Sequence, residues 1–497
     1  MIHKFSMNGI NILMDILSGA VHVVDNVVYD IAELYPETGV EELYKKFSGK
    51  YTKEQITEAV SELEELRQAD MLYTEDEYES ILSQVKNRAP VVKALCLHVA
   101  HDCNLKCKYC FADEGEYHGK RALMSTEVGK KAIDFIIANS GNRRNLEVDF
   151  FGGEPLMNFD VVKDIVAYGR EQEKLLNKNF RFTITTNGVL LDEEKQKYIN
   201  ENMHNVVLSL DGRKEINDFM RPKAGGQGSY DSIVPKFQRL ADSRNQTDYY
   251  VRGTFTHYNL DFSKDVLHFA DDLGFKQVSA EPVVADPAED YAIREEDLQQ
   301  VYDEYERLAD ELYIRHKTGE KDFNFFHFMI DLTGGPCVAK RLSGCGSGTE
   351  YLAVTPEGDL YPCHQFVGQE EYKMGTVYSG IEKTELREKF SDCNVYTKPE
   401  CKKCWAKFYC SGGCIANASH YAGDINGVYE LGCKLQRKRI ECAVMIKSNL
   451  PCRAKSVSIW SINPTPVFIL LFPLPSIFSI RYISVSAVFL FISAVLT

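Results

Sequence analysis

Three absences narrow what this chain can be. Its first residues, MIHKFSMNGI, lack the basic cluster and apolar stretch of a secretory signal, which predicts a cytoplasmic protein with reduced thiols. It also lacks a compact disulfide framework, because 15 cysteines lie in tight, uneven groups along 497 residues. And from Pro451 to Thr497 there is no Asp or Glu, the only charges being Arg453, Lys455 and Arg481. That tail contains VFILLFPLPSIFSI and YISVSAVFLFISAVLT, but neither run reaches the ~20 apolar residues a spanning helix needs. Pro473 and Pro475 break the first, and the second has 16 residues. A membrane anchor and an appended tail without functional role are both open readings for it.

What is present describes a multidomain protein. A hydrophobic content of 44%, with 27 Tyr and 27 Phe, excludes disorder, and the length allows two or three cores. Residues 1–85 read as a hairpin plus helices: INILMDI and AVHVVD flank the turn Ser18-Gly19. Thr52 and Gln55 form a capping-box pattern before a helix whose Ile56, Ala59, Val60 and Leu63 share one face. Met71-Leu72-Tyr73 is expected to return as a short strand. This layout is winged-helix-like, a shape often used on nucleic acid. Charge argues otherwise, since these residues carry 6 Lys/Arg against 17 Asp/Glu and would repel a phosphate backbone. A peptide added as a strand to a sheet edge fits better.

Residues 90–320 alternate apolar strands (ALCLHVA, LEVDFFGG, FRFTITTNG, NVVLSLDG, YVRGTFT, KQVSAEPVV) with helices beginning near Ser125, Asp160 and Asp192. That pattern predicts an α/β fold with a parallel sheet or partial barrel, whose chemistry gathers at the carboxyl ends of its strands. Residues 337–450 lose the alternation and become cysteine-rich, which predicts a separate metal-dependent unit.

The first predicted strand runs into Cys103-Asn-Leu-Lys-Cys107-Lys-Tyr-Cys110. Three thiolates on one loop can hold three irons of a [4Fe–4S] cluster and leave the fourth open to a ligand. Zinc is the alternative, but a structural zinc site takes four N or S ligands, and His101 is the only nearby candidate for the fourth.

With Tyr109 before its third cysteine, this loop resembles the signature of radical S-adenosylmethionine (radical SAM) enzymes. The resemblance extends to Gly152-Gly153-Glu154-Pro155, to Thr185-Thr186-Asn187-Gly188 and to Ser209-Leu-Asp211-Gly212, each at a predicted strand end and in the family's order. It implies a partial (β/α)6 barrel in which Cys103, Cys107 and Cys110 hold the catalytic cluster that chelates SAM. Tyr109, Gly152, Gly153, Glu154, Pro155, Thr186, Asn187, Ser209 and Asp211 would surround the cofactor. One-electron cleavage would then yield a 5'-deoxyadenosyl radical that abstracts a substrate hydrogen. Arg221 and Arg252 are candidates to pair the SAM carboxylate, with an ordinary salt bridge as the alternative for each. Related sequences often carry His shortly after the Asp-Gly turn; here Asn217 stands there and receives no role.

Downstream, Cys345, Gly358, Cys363 and then Cys401-x2-Cys404-x5-Cys410-x3-Cys414 with Cys433 resemble the seven-cysteine SPASM pattern of peptide-modifying radical SAM enzymes. The resemblance implies two auxiliary [4Fe–4S] clusters, one held by Cys401, Cys404, Cys410 and Cys433, the other by Cys345, Cys363 and Cys414. Cys337 is an undecided fourth ligand to the second. If it ligates, both clusters are closed and suit electron transfer; if it does not, an iron is free for a substrate thiolate. Cys96, Cys393, Cys442 and Cys452 have no motif partner and read as incidental thiols.

The order of modules resembles the maturases of ribosomally made peptides, above all the thioether-forming maturases of SCIFF (six-cysteines-in-forty-five-residues) peptides, over residues 1–448. That implies an oxidoreductase bonding a cysteine sulfur to carbon in a cysteine-rich precursor whose leader sits on the N-terminal module, supplied by a one-electron reductant such as flavodoxin or ferredoxin. No nucleic-acid partner is expected. The alternatives are an anaerobic sulfatase-maturating enzyme, which oxidises Cys or Ser to formylglycine, and a non-catalytic peptide-binding metal scaffold.

Overall fold

A computed structural model describes residues 1–80, 82, 91–117, 119–332 and 341–449. Cys337, Cys452 and the tail from residue 451 lie outside the described residues.

The N-terminal part is an antiparallel sheet of β1 (Ile2–Met7), β2 (Ile10–Asp15) and β3 (Val21–Val24), followed by α1 (Asn26–Ile31), α2 (Val40–Phe47) and α3 (Lys53–Gln68). The capping box forms as expected: Thr52 Oγ1 accepts from Gln55 N, and Gln55 Oε1 accepts from Thr52 N. The strand expected at Met71–Tyr73 does not form, because Asp70 (φ 53°) and Tyr73 (φ 58°) take left-handed backbone that breaks an extended run. Alternation along β1 and β2 gives the sheet two apolar faces. Leu13 points into the module's own helices, while Phe5, Met7, Ile12 and Met14 join the main core.

The central sheet runs β4 (Ala94–His101), β6 (Asn145–Gly152), β7 (Asn179–Thr186), β8 (Asn205–Ser209), β9 (Tyr249–Phe255) and β10 (Gln277–Pro282), all parallel, with the two-residue β11 (Asn324–Phe325) parallel beyond β10 and β5 (Ala122–Leu123) antiparallel to β4. Helices fall between the strands, among them Thr126–Asn139, Phe159–Leu175 and Glu193–Asn202, capped by Ser125 and Asp192 where the sequence predicts.

The cysteine-rich region is less separate than its composition suggests. Its strand β12 (Tyr351–Val354) pairs in parallel with β4, Tyr351 opposite Ala94 and Val354 opposite Leu97, so one sheet runs from the barrel into β13 (Asp359–Tyr361). The helix Glu430–Asn449 packs along Leu298–Thr318. The N-terminal module also docks here: His3 stacks on Trp405 at 3.7 Å between ring centroids, and Asp76 accepts from Lys407 Nζ (2.8 Å) and Tyr396 OH (2.7 Å). Among the described residues no helix is long and apolar enough to cross a membrane.

Candidate active site

Because the strands are parallel, the residues following them collect on one edge of the sheet. The Cys103–Cys110 loop follows β4, Gly152–Glu154 ends β6, Thr186–Asn187 ends β7 and Ser209–Asp211 ends β8. Two glycines let the first two of these meet. A Cβ on Gly152 (φ 123°) would lie 2.2 Å from Ala100 O, and one on Gly153 would lie 2.1 Å from Asp102 O. Instead, Gly153 N donates to Ala100 O (2.7 Å) and Glu154 N to Asp102 O (2.9 Å), fixing the strand end against the root of the cysteine loop.

Glu154 is buried and organises the next strand. It accepts from Thr186 Oγ1 (2.7 Å), Asn187 N (2.8 Å) and Leu156 N (3.0 Å). Burial pushes its carboxyl upward, and these bonds hold back part of that rise. Asn187 in turn donates to Asn104 Oδ1 at 2.8 Å within the cysteine loop. On the other side, Tyr109 OH donates to Asp211 Oδ2 (2.5 Å) and accepts from Arg221 Nη1 (2.8 Å). Arg221 keeps a buried Nε–H with no partner among the described residues.

One cleft of about 1650 Å³, its open mouth included, is lined by Cys103, Cys107, Tyr109, Cys110, Gly152, Gly153, Glu154, Thr186, Asn187, Ser209, Arg221 and Arg252. Of the residues expected around the cofactor, only Pro155 and Asp211 stand off its wall. Pro155 opens the short turn after Glu154, and Asp211 braces Tyr109 from behind.

The downstream thiols fall into two further neighbourhoods. Cys401, Cys404, Cys410 and Cys433 are near enough to repel one another as thiolates, and Cys345, Cys363 and Cys414 form the other such set, as Cys103, Cys107 and Cys110 do in the cleft. Burial pushes Cys103, Cys401 and Cys433 up to about 12 and Cys107, Cys410 and Cys414 up to about 11. Thiolates in such places need a cation to hold them.

Among the described residues no group of three or more His, Cys, Asp or Glu is placed to hold a single metal ion. Sets of three or four neighbouring thiols with no other ligand type among them are the donor set that iron–sulfur clusters take. His101, the fourth ligand a zinc reading needed, instead bonds His98 Nδ1 through Nε2 at 3.0 Å. In the cleft, the orphaned Arg221 N–H and the glycine-lined strand end fit the carboxylate and amine of a bound SAM.

Several contributors carried no motif. Asn217 is buried, its Oδ1 accepting from Asp211 N (3.3 Å) and its Nδ2 donating to Ser229 Oγ (3.0 Å), so it holds the turn that presents Asp211. From the C-terminal region, Gln365, Gln369, Asn417, His420 and Tyr421 close one side of the cleft. A buried aromatic set, His98, His101, Tyr117 and His364, lies between the first cysteine loop and Cys363. Only their neighbourhood in space identifies them.

The fold and this site together define a radical SAM domain: residues 97–253 match the family model of the radical SAM superfamily. Over nearly its whole length the chain is similar to the radical SAM cyclopropyl synthase TigE of Paramaledivibacter caminithermalis, at 22% identity over 460 residues, 87% of this chain and 92% of that one. It is also similar to a cysteine-type anaerobic sulfatase-maturating enzyme of Clostridium novyi, at 25% over 341 residues, 64% and 86% of the two chains. In fold it resembles anSMEcpe with bound AdoMet, at a TM-score of 0.62 and 20% identity over 73% of this chain and 97% of that one. Residues 97–253 therefore form a radical SAM domain within a longer chain that is similar to both of these relatives.

Proposed function

We propose that this enzyme joins a cysteine sulfur to a carbon within a ribosomally made, cysteine-rich precursor peptide. The observation that carries the reading is a second cavity lined by Cys410, Cys414 and Cys433, which shares Val283, Val284 and Asn417 with the cleft at Cys103, Cys107 and Cys110. A peptide threaded past Val283 and Val284 meets a hydrogen-abstraction site and a sulfur-rich site in succession. When the thioether forms, the peptide gives up one hydrogen atom from carbon, one proton from sulfur and one electron.

Cys103, Cys107 and Cys110 would hold the SAM-binding cluster, which, with SAM, supplies the radical that takes the hydrogen. Glu154, Thr186 and Asn187 fix the strand ends around the cofactor, Ser209 borders it, and Arg221 and Arg252 supply cationic donors. Cys401, Cys404, Cys410 and Cys433, with Cys345, Cys363 and Cys414, would hold the clusters that accept the electron. Residues 1–85 would take the leader, residues 90–320 the chemistry, and residues 337–450 the auxiliary clusters. For the leader, β3 is an edge strand of its sheet, with Val23 54% exposed, and the module's acidity suits a basic or neutral segment.

Formylglycine formation is the second reading, favoured by the similarity to the Clostridium novyi enzyme. Anaerobic co-expression with a small cysteine-rich precursor peptide that carries a leader, followed by mass spectrometry, separates the two. The proposal expects two hydrogens lost per cross-link and a cysteine that no longer alkylates. An aldehyde on a sulfatase peptide, with no change in the cysteine-rich peptide, overturns it.

A further inference from the structure

We infer that the cavity between the end of β10 and the C-terminal helix is a peptide subsite in which Arg439 donates, through Nε–H, to a main-chain carbonyl of the substrate. The inference rests on the peptide-maturase reading and adds to it the group that grips the chain.

Arg439 is only 5% exposed and lines the cavity. Its Nη1 donates to His327 Nδ1 (2.9 Å) and Glu281 Oε2 (3.2 Å), and its Nη2 donates to Gln436 Oε1. The Nε has no partner among the described residues. A guanidinium N–H that is buried and unmet is costly to keep, and such groups point to a ligand or a water that completes them.

The charge around it is mixed. Glu281, 1% exposed, approaches His327 Nε2 at 2.5 Å. Burial pushes Glu281 upward, but His327, Arg439 and Arg252 outweigh it and the carboxyl sits below its ordinary value. Arg341 lines the same cavity. A precursor peptide offers an amide carbonyl at every residue, an acceptor that meets the Nε–H without adding a buried charge. The remaining wall is apolar and aromatic, including Val283, Val284, Met329, Ile330, Tyr409 and Tyr429, which suits a chain segment with apolar side chains. The same cavity carries Cys410, Cys414 and Cys433, so a carbonyl held by Arg439 places the peptide between the cleft and those thiols.

The test is a scan of single ester-for-amide replacements along a cysteine-rich precursor peptide that carries a leader. Each ester weakens one carbonyl as an acceptor, and each peptide is titrated anaerobically into the reconstituted full-length protein and into Arg439→Lys. Loss of a hydrogen bond to a charged donor corresponds to about tenfold or more in Kd. One ester position is expected to weaken binding to the wild type by that factor and to make no difference in Arg439→Lys, a coupling that general loosening of the fold would not produce. The inference is overturned if no position weakens wild-type binding by more than twofold, or if the sensitive position is equally sensitive in Arg439→Lys. Peptide that binds with this pattern but acquires no thioether would sink the maturase reading and leave the subsite standing.

Discussion

Substituting alanine for Gly153 tests whether the strand end and the cysteine loop act as one rigid piece. The added Cβ would stand 2.1 Å from Asp102 O and 2.6 Å from Asp102 C, both backbone atoms that no rotamer change can move. Ordinary contact between a methyl carbon and a carbonyl oxygen is ~3.3 Å, so the two segments must part by about 1 Å. That breaks Gly153 N to Ala100 O and Glu154 N to Asp102 O. Overpacking of this kind costs about 1–3 kcal/mol in stability, and a 1 Å misplacement of a reacting group costs about 100-fold in rate. Formation of 5'-deoxyadenosine from SAM under a chemical reductant is therefore expected to fall about 100-fold, with a melting temperature only a few degrees lower. Gly49→Ala is the control, since a Cβ there meets nothing within 4 Å. Gly153→Ala cleaving SAM within threefold of the wild type would refute the reasoning, because the close approach would then not position the site.

Other perturbations have equally definite outcomes. Asp76→Ala strips Lys407, 2% exposed at its side chain, of its carboxylate; since Asp76 itself is 28% exposed, the cost is reduced to about 2 kcal/mol, read as a lower urea midpoint. An unchanged midpoint would mean that the N-terminal module is not held through this pair. Glu147 and Asp149 sit inside the barrel with burial raising them to about 7 and about 8, Glu147 adding to the rise of Asp149. Both are proton-bound in the folded state at pH 5, and the unfolded chain ionises first as pH rises, so their contribution is full below about pH 4 and is lost between there and pH 8. Asp149→Asn should therefore raise the melting temperature more at pH 8 than at pH 5; an equal shift at both would contradict the assignment. Cys107→Ala should abolish SAM cleavage. On the proposed three-cluster reading, Cys401→Ala should remove about four of about twelve irons and leave the cleavage-competent cluster in place, whereas loss of all iron would show that the three thiol sets are not independent.

Much of the site was legible in local sequence because radical SAM chemistry is bound by short loops. Cys103, Cys107 and Cys110 lie within eight residues, and strand-end glycines reveal themselves because only glycine allows a backbone approach as close as that of Gly152 and Gly153. The helix starts at Thr52, Ser125 and Asp192 were readable for the same reason, each being a local bond between a cap and the first turn. What escaped was non-local. Asn217 holds Asp211 only because the chain returns at Ser229, and Gln365, Gln369 and His420 reach the cleft from a region that composition sets apart. The missed return at Met71–Tyr73 has a local cause in left-handed backbone at residues with no glycine to announce it.

The sequence by itself determined the parallel α/β core and, through its resemblance to radical SAM signatures, pointed to the cofactor class and the grouping of cysteines, because these are written in spacings of a few residues or in a period of hydrophobicity. The tertiary structure decided where the modules meet. It pairs β12 with β4, seats His3 on Trp405, sets Val283 and Val284 in the walls of both the cavity and the cleft, and leaves a buried Arg439 N–H without a partner among the described residues beside that cavity. Those relations join residues hundreds of positions apart through packing and hydrogen-bond geometry, which no local pattern encodes.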